Sequence, residues 1–224
     1  MLRLSEDDHR KVAVAVAEAE ANSNGEIVTI ATALSDKYHD VALHWAVAVL
    51  IAVLAFYAAV PGSLNWIANV VSGGWGDEHS LRTLLTILLV IATAKFTVVL
   101  LILRWMPLRL LLTPASTKIR RVRRRAIELF KVGAERRTLG RTGILLYLSA
   151  GEHRAEIVAD EAILAVTTPE TWGEAMAALL TEVKAGRPGD GIVAAVSLIG
   201  AVLSEHFPRD SADMNEIPDK LIEL

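Results

Sequence analysis

VALHWAVAVLIAVLAFYAAV at Val41–Val60 and LLTILLVIATAKFTVVLLIL at Leu84–Leu103 decide how this chain is organised. Each is a nearly unbroken apolar run of about 20 residues. That is the length at which an α-helix rising 1.5 Å per residue crosses a hydrocarbon core of roughly 30 Å. The connecting stretch Pro61–Ser80 has no Lys or Arg, and its formal charges are Asp77 and Glu78. Arg82 alone stands just before the second run, whereas Arg104, Arg109, Lys118, Arg120, Arg121, Arg123, Arg124 and Arg125 follow it. This bias predicts a membrane hairpin, 41–106, with both chain ends cytoplasmic and a short outside loop, 61–80. Trp66, Trp75 and Trp105 suit interfacial anchors, and Trp105-Met106-Pro107 is expected to end the second span. The first run follows a largely polar segment, and no small-residue cleavage signal follows Val60, so it reads as a retained anchor.

Outward from the hairpin, two segments share the pattern of one water-soluble domain. Before it, Ser5-Glu6-Asp7-Asp8 forms a capping signal for a helix that Asn22–Gly25 stops. Glu26–Leu34 (EIVTIATAL) is β-branched and almost wholly apolar, as befits a strand covered on both faces. One helix and one strand cannot bury a core, so the partner must follow the hairpin. There, Thr113-Pro114 caps a basic helix running to about Glu135. Gly143–Ala150 (GILLYLSA) and Ala155–Asp160 (AEIVAD) then form a β-hairpin around a turn at Gly151–Arg154. Thr168-Pro169 opens a helix ended by Gly186, and Gly191–His206 supplies the last, whose apolar run of about 12 residues is short for a span. The expectation is an α/β domain in two parts, 4–40 and 113–207, split by the hairpin and trailed by a loosely ordered tail, 208–224.

Composition narrows the chemistry. The 224 residues include no cysteine, which excludes disulfides, thiolate nucleophiles and Cys-based metal centres. The net charge of −3 conceals a basic stretch, Arg104–Arg141, between acidic-leaning ends. No P-loop or Asp-x-Asp motif is present.

LSEDDHRKVAVAVAEAEANSNGEIV at Leu4–Val28 and RTGILLYLSAGEHRAEIVADEAI at Arg141–Ile163 resemble the TPM family, named in part from a plant thylakoid-lumen protein. The likeness extends through IRRVRRRAIELF (119–130) and NEIPDKLIEL (215–224), and is greatest to the bacterial membrane-protein branch, whose domain is split by a two-helix hairpin. The resemblance implies a small α/β sandwich, weak acid-phosphatase activity in some members, and calcium held by acidic residues near strand ends. Here Arg141-Thr142 stands where a pair of Asp residues is common. Asp160-Glu161-Ala162-Ile163 stands where a Gly-Tyr-Gly-Leu-Glu pattern is typical.

The candidate sites follow from these residues. Asp160 and Glu161 are the candidate metal ligands, for calcium or magnesium, because hard cations take oxygen ligands. Glu26 joins them as a ligand-binding candidate, and Asp160 and Arg141 are the catalytic candidates. Arg120, Arg121, Arg123, Arg124 and Arg125 form a polybasic face suited to anionic lipid headgroups, each worth about 1 kcal/mol near the surface. Aromatic residues do not interleave with this run, so nucleic acid is not the expected partner. His44 and Lys95 are polar groups inside the predicted spans, where charge is costly. The leading reading is a non-catalytic, membrane-anchored binding or accessory module at the cytoplasmic face of a bacterial inner membrane. Its partners would be lipid and either another protein or further copies of itself. The alternatives are a metal-dependent phosphatase-like hydrolase and a small oligomeric ion pathway.

Overall fold

Glu26–Thr32 forms β1, and all seven of its residues are buried. In the computed structural model, which describes residues 4–73, 79–133, 142–209 and 220–224, β1 lies between two parallel neighbours. These are β2 (Gly143–Ser149) and β4 (Leu221–Glu223). Strand β3 (Arg154–Ala159) pairs antiparallel with β2, giving a mixed sheet of order β3-β2-β1-β4. Successive side chains of a strand point to opposite faces. Ile27, Ala31, Ile144, Leu146 and Leu148 therefore meet α1 (Glu6–Glu20), α8 (Gly173–Lys184) and α9 (Pro188–His206) on one side. Val28, Ile30, Leu145 and Tyr147 meet α6 (Ala115–Gly133) on the other, through Val122, Ala126 and Phe130. Helices on both faces are why β1 and β2 read as unbroken apolar runs.

The chain divides into two compact units, Met1–Asp36 with Ala115–Leu224, and Lys37–Pro114. In the first, the capping signal at Ser5 is realised: Asp8 N donates to Ser5 Oγ at 3.1 Å, and Ser5 N to Asp8 Oδ2 at 2.8 Å. Val12, Ala15, Val16 and Ala19 bury one stripe of α1. Helix α9 packs so closely there that a Cβ on Gly200 would lie 2.5 Å from Ala19 Cβ.

The second unit comprises α2 (His39–Ala59), α3 (Pro61–Val71), α4 (Leu81–Ile102) and α5 (Met106–Leu111). The buried residues of α2, α3 and α4 are Val41 and the alanines Ala42, Ala46, Ala68 and Ala92, with Tyr38 and Leu103 buried at the helix ends, while Ile51, Phe56, Leu85, Leu89 and Leu101 are each more than half exposed. Small residues at a helix seam let backbones approach. The base of the pair is closed by Arg109, which is 5% exposed. Its Nε donates to Leu103 O at 2.7 Å, and its Nη1 to Lys37 O at 2.6 Å. Among the described residues, three helices are long and apolar enough to cross a membrane by length and composition: α2, α4 and α9. Within the protein, 17% of α2's most apolar stretch and 6% of α4's is buried, against 44% of α9's.

Several boundaries differ from the sequence reading, each for a local reason. Much of the expected loop 61–80 is α3, with Pro61 in the first turn where a missing N–H costs nothing. Helix α6 begins at Ala115, one residue after Pro114, and the Thr113 hydroxyl donates to Arg109 O at 2.7 Å. Asp160 and Glu161 directly follow the last residue of β3, and Asp160 is also the N-cap of α7 (Glu161–Val166). Thr168-Pro169 opens a short 3₁₀ turn, Pro169–Trp172, before α8. Helix α9 begins at Pro188 rather than Gly191, which lengthens it to 19 residues. The tail is not loose throughout: Leu221–Glu223 is the edge strand β4, and Thr32 Oγ1 donates to Leu224 O at 2.9 Å. The outside-loop acids Asp77 and Glu78, Trp75 and residues 210–219 lie outside the described residues.

Thr29, at the centre of β1, is 1% exposed, and its Oγ1 has no hydrogen-bond partner among the described residues. Its neighbours across the sheet are Leu146 and Leu221. An orphaned buried hydroxyl costs roughly 1–3 kcal/mol. Thr29→Val should therefore stabilise the protein by about 1 kcal/mol in denaturant titration; a loss of stability would show that the hydroxyl has a partner.

Candidate functional site

Chemically capable side chains gather at the two ends of the sheet. At the end where β1 and β2 begin, Glu26 lies beside Gly143, and the β2–β3 register carried one step on places Gly143 beside Asp160. With strands about 4.8 Å apart, the two acidic residues flank the glycine with their Cα atoms roughly 10 Å apart. Both are buried, at 5% and 7% exposure. Asp160 N donates to Gly143 O, and Gly143 N donates to Asp160 Oδ2, both at 2.9 Å. Glu26 N donates to Thr142 O at 3.2 Å, and Thr142 Oγ1 donates to Asn24 O at 2.6 Å.

A third buried carboxylate, Glu20, takes Ile27 N on its Oε1 at 2.7 Å. The sequence reading missed it, although Glu20 continues the buried Val12–Val16 stripe at a spacing of four, a visible signal. Glu161, exposed in the first turn of α7, completes the acidic group. Among the described residues, no group of three or more His, Asp or Glu side chains is arranged to hold a metal ion. Arg141, the other catalytic candidate, lies outside the described residues.

The opposite end, where β1 and β2 finish, is the end at which parallel sheets usually receive ligands. Here Ser149 Oγ donates to Glu152 Oε2, and Ser35 N donates to Glu152 Oε1 at 3.0 Å. Ser35 Oγ and Tyr147 OH are 2.9 Å apart. Glu152, read from sequence only as a turn residue, is 6% exposed and ties the β2–β3 turn to the chain leaving β1. Burial pushes the Tyr147 phenol up, with the Glu152 charge adding and the Ser35 hydrogen bond opposing. The Tyr147 and Ser35 contributions lack a sequence signal, because the pair is 112 residues apart.

The basic face of α6 is partly committed. Arg121 pairs with Asp36 at 3.1 Å, with its side chain 20% exposed, so it holds the domain together more than it faces outward. Arg124 and Arg125 share Glu128, each at 3.6 Å. Arg123 carries its charge near Glu156 of β3, and Arg120 is exposed. In the second unit, His44 Nδ1 donates to Asp40 O at 2.6 Å. Lys95 is exposed and joined by no hydrogen bond or ion pair to another described residue. No hydrogen bond joins the two among the described residues.

No protein-family model matches the chain, and no curated protein matches it. Among solved structures, it is similar to the NMR structure of BA42 protein from the psychrophilic bacterium Bizionia argentinensis sp. nov.. That likeness has a TM-score of 0.56 at 15% identity and spans 100% of this chain and 97% of the other. At this identity the likeness speaks to fold alone.

Because burial raises the Tyr147 pKa, the fold favours the neutral phenol. Its contribution to stability is full below pH 10, the ordinary tyrosine value, and is lost as pH rises beyond it. Wild-type protein should lose stability relative to Tyr147→Phe as pH is raised above 10. A stability difference that stays constant through that range would show that the phenol titrates normally.

Proposed function

We propose that this protein is a membrane-anchored domain of the TPM type, acting as a non-catalytic binding or accessory module at the cytoplasmic face of a bacterial inner membrane. Helices α2 and α4 cross the bilayer as a hairpin with both chain ends inside. The observation that carries this reading is the inverted polarity of the second unit, with alanines within and large apolar side chains outside. Each large side chain left in water forgoes about 1.5–3 kcal/mol of burial, a deficit that lipid removes. Helix α9 is assigned to the water-soluble domain, because Ile192, Ala195, Val196, Ile199 and Leu203 are at most 1% exposed in its core. The orientation follows from the basic residues after α4.

The binding role is favoured over catalysis by the state of the acidic group. Asp160 and Glu20 each place an oxygen on a strand amide, so these carboxylates serve the sheet. A cation site or nucleophile needs carboxylate oxygens turned to a ligand.

The test is to excise 37–114. Asp36 is tied to Arg121, six residues past Ala115, so the cut ends are within roughly 20 Å and a flexible linker of about twelve residues spans them. The bridged chain should leave the membrane fraction, remain in solution and melt cooperatively. Loss of cooperative melting would refute a domain assembled from both segments. Millimolar Ca²⁺ or Mg²⁺ should leave the melting temperature of the full chain unchanged. A rise abolished by Asp160→Asn would favour the metal-dependent hydrolase instead.

A further inference from the structure

Helix α3 (Pro61–Val71) stands between the two apolar helices of the inserted unit and is built unlike either. Helix α2 stops at Val60, whose φ of −128° and ψ of 68° lie outside the helical region. Ser63 Oγ donates to Val60 O at 2.6 Å, and Pro61 needs no amide partner in a first turn, so α3 begins as a separate helix. Its 11 residues reach roughly 16 Å, half the length of a span. From Pro61 to Gly76 the chain carries no charge.

Three sides of α3 can be told apart. Ala68, 0% exposed, with Leu64 and Ile67 half-buried beside it, marks the side packed within the unit. Asn65 and Asn69, one turn apart, are exposed and form a polar side. His79 Nε2 lies 2.6 Å from Asn69 Oδ1, so this side is turned toward the segment that enters α4 at Leu81. Trp66, Val70 and Val71 are 68%, 62% and 73% exposed. Val71 is two residues on from Asn69, about 200° around the helix, and so lies opposite it.

We propose that α3 is an interfacial helix. It lies along the membrane surface at the outer end of the hairpin, with Trp66, Val70 and Val71 among the glycerol groups and upper acyl chains of the lipid. This placement rests on α2 and α4 crossing the bilayer, as proposed above. Given that crossing, Pro61 ties α3 to the end of one span, and a short segment ties it to the start of the other, which holds it at the level of the headgroups.

The surface of α3 suits that level. Its exposed apolar side continues the lipid-facing surface of α2, where Phe56 and Val60, one turn apart, are 53% and 47% exposed. Tryptophan is enriched where membrane meets water. An amphipathic helix in that plane sinks its apolar face about 5–10 Å into the boundary of headgroups and acyl chains. Val71 then points down into the lipid while Asn65 and Asn69 face water. Because the segment is uncharged, apolar burial alone holds it, whatever the charge of the headgroups.

The absence of cysteine lets single labels report depth. Asn65→Cys, Val70→Cys, Val71→Cys and Leu89→Cys each carry a nitroxide at an exposed position of the full chain, reconstituted in phosphatidylcholine vesicles. Collisions with oxygen, which concentrates in the bilayer, are compared with collisions with a water-soluble nickel chelate. The labels at 70 and 71 should favour oxygen, the label at 65 should favour the chelate, and 71 should be deeper than 70. The label at 89, roughly 12 Å along α4 from its start, should be the deepest. The order should persist in high salt and in vesicles enriched in phosphatidylglycerol. Labels at 70 and 71 as open to the chelate as the label at 65, with 89 deep, would overturn the interfacial helix and leave the hairpin standing. So would depth at 70 and 71 that appears only with anionic lipid. A label at 89 open to the chelate would overturn the hairpin itself, and the interfacial helix with it.

Discussion

The parallel pairing of β1 with β2 is the constraint on which the rest of the structure depends. The seven residues of β1 are buried on both faces, so they need a strand on each side and a helical layer above and below. All but α1 comes from beyond residue 114. Thr142 bonds to Asn24 across 118 residues of chain. Loop-closure entropy rises only with the logarithm of loop length, so the length of the insert is a modest cost once its ends are near one another. Arg109 supplies that nearness within the inserted unit by bonding the carbonyls of Lys37 and Leu103 together. Asp36 and Arg121 do the same within the domain.

The two units place the same kinds of side chain oppositely. In the α/β domain, Leu, Ile and Val lie inside, and α9 is helical because its apolar face fills the space over β1 and β2. In the insert, alanines form the contact and the large residues face out. Hydropathy averaged along the chain does not separate these cases, which is why α9 passes by length and composition alongside α2 and α4. The contrast in burial separates them.

What the sequence revealed divides along the line between local and distant causes. The capping box at Ser5, the continuous runs of β1 and β2, and the two long apolar helices are set by neighbouring residues, and each was legible. The three residues of β4 have no period of their own, and their pairing with Thr29–Ala31 comes from the other end of the chain. Helix α3 was hidden because Pro, Gly, Ser and Asn at its start read as loop, although Pro is at home in a first helical turn. At the candidate sites, Glu26 and Asp160 were found as strand-end acids, but their placement on either side of Gly143 depends on register, which no single segment encodes. Glu152 looked like a turn residue because its partners, Ser35 and Ser149, become neighbours only when β1 and β2 pair.

Buried carboxylates at both ends of one small sheet invite a catalytic reading, and their hydrogen bonds argue for another. A strand that starts or stops inside the protein leaves main-chain amides with no ladder partner, and each such amide is costly if unmet. Glu20 meets Ile27 N, Asp160 meets Gly143 N, and Glu152 meets Ser35 N. In each case the acid comes from a different element than the amide, so the bond also fixes how the elements meet. Water cannot replace such an acceptor at positions exposed by less than a tenth. Acids with this duty persist whether or not any chemistry occurs beside them. Three of the buried acids at the sheet ends, Glu20, Asp160 and Glu152, are therefore accounted for by the fold.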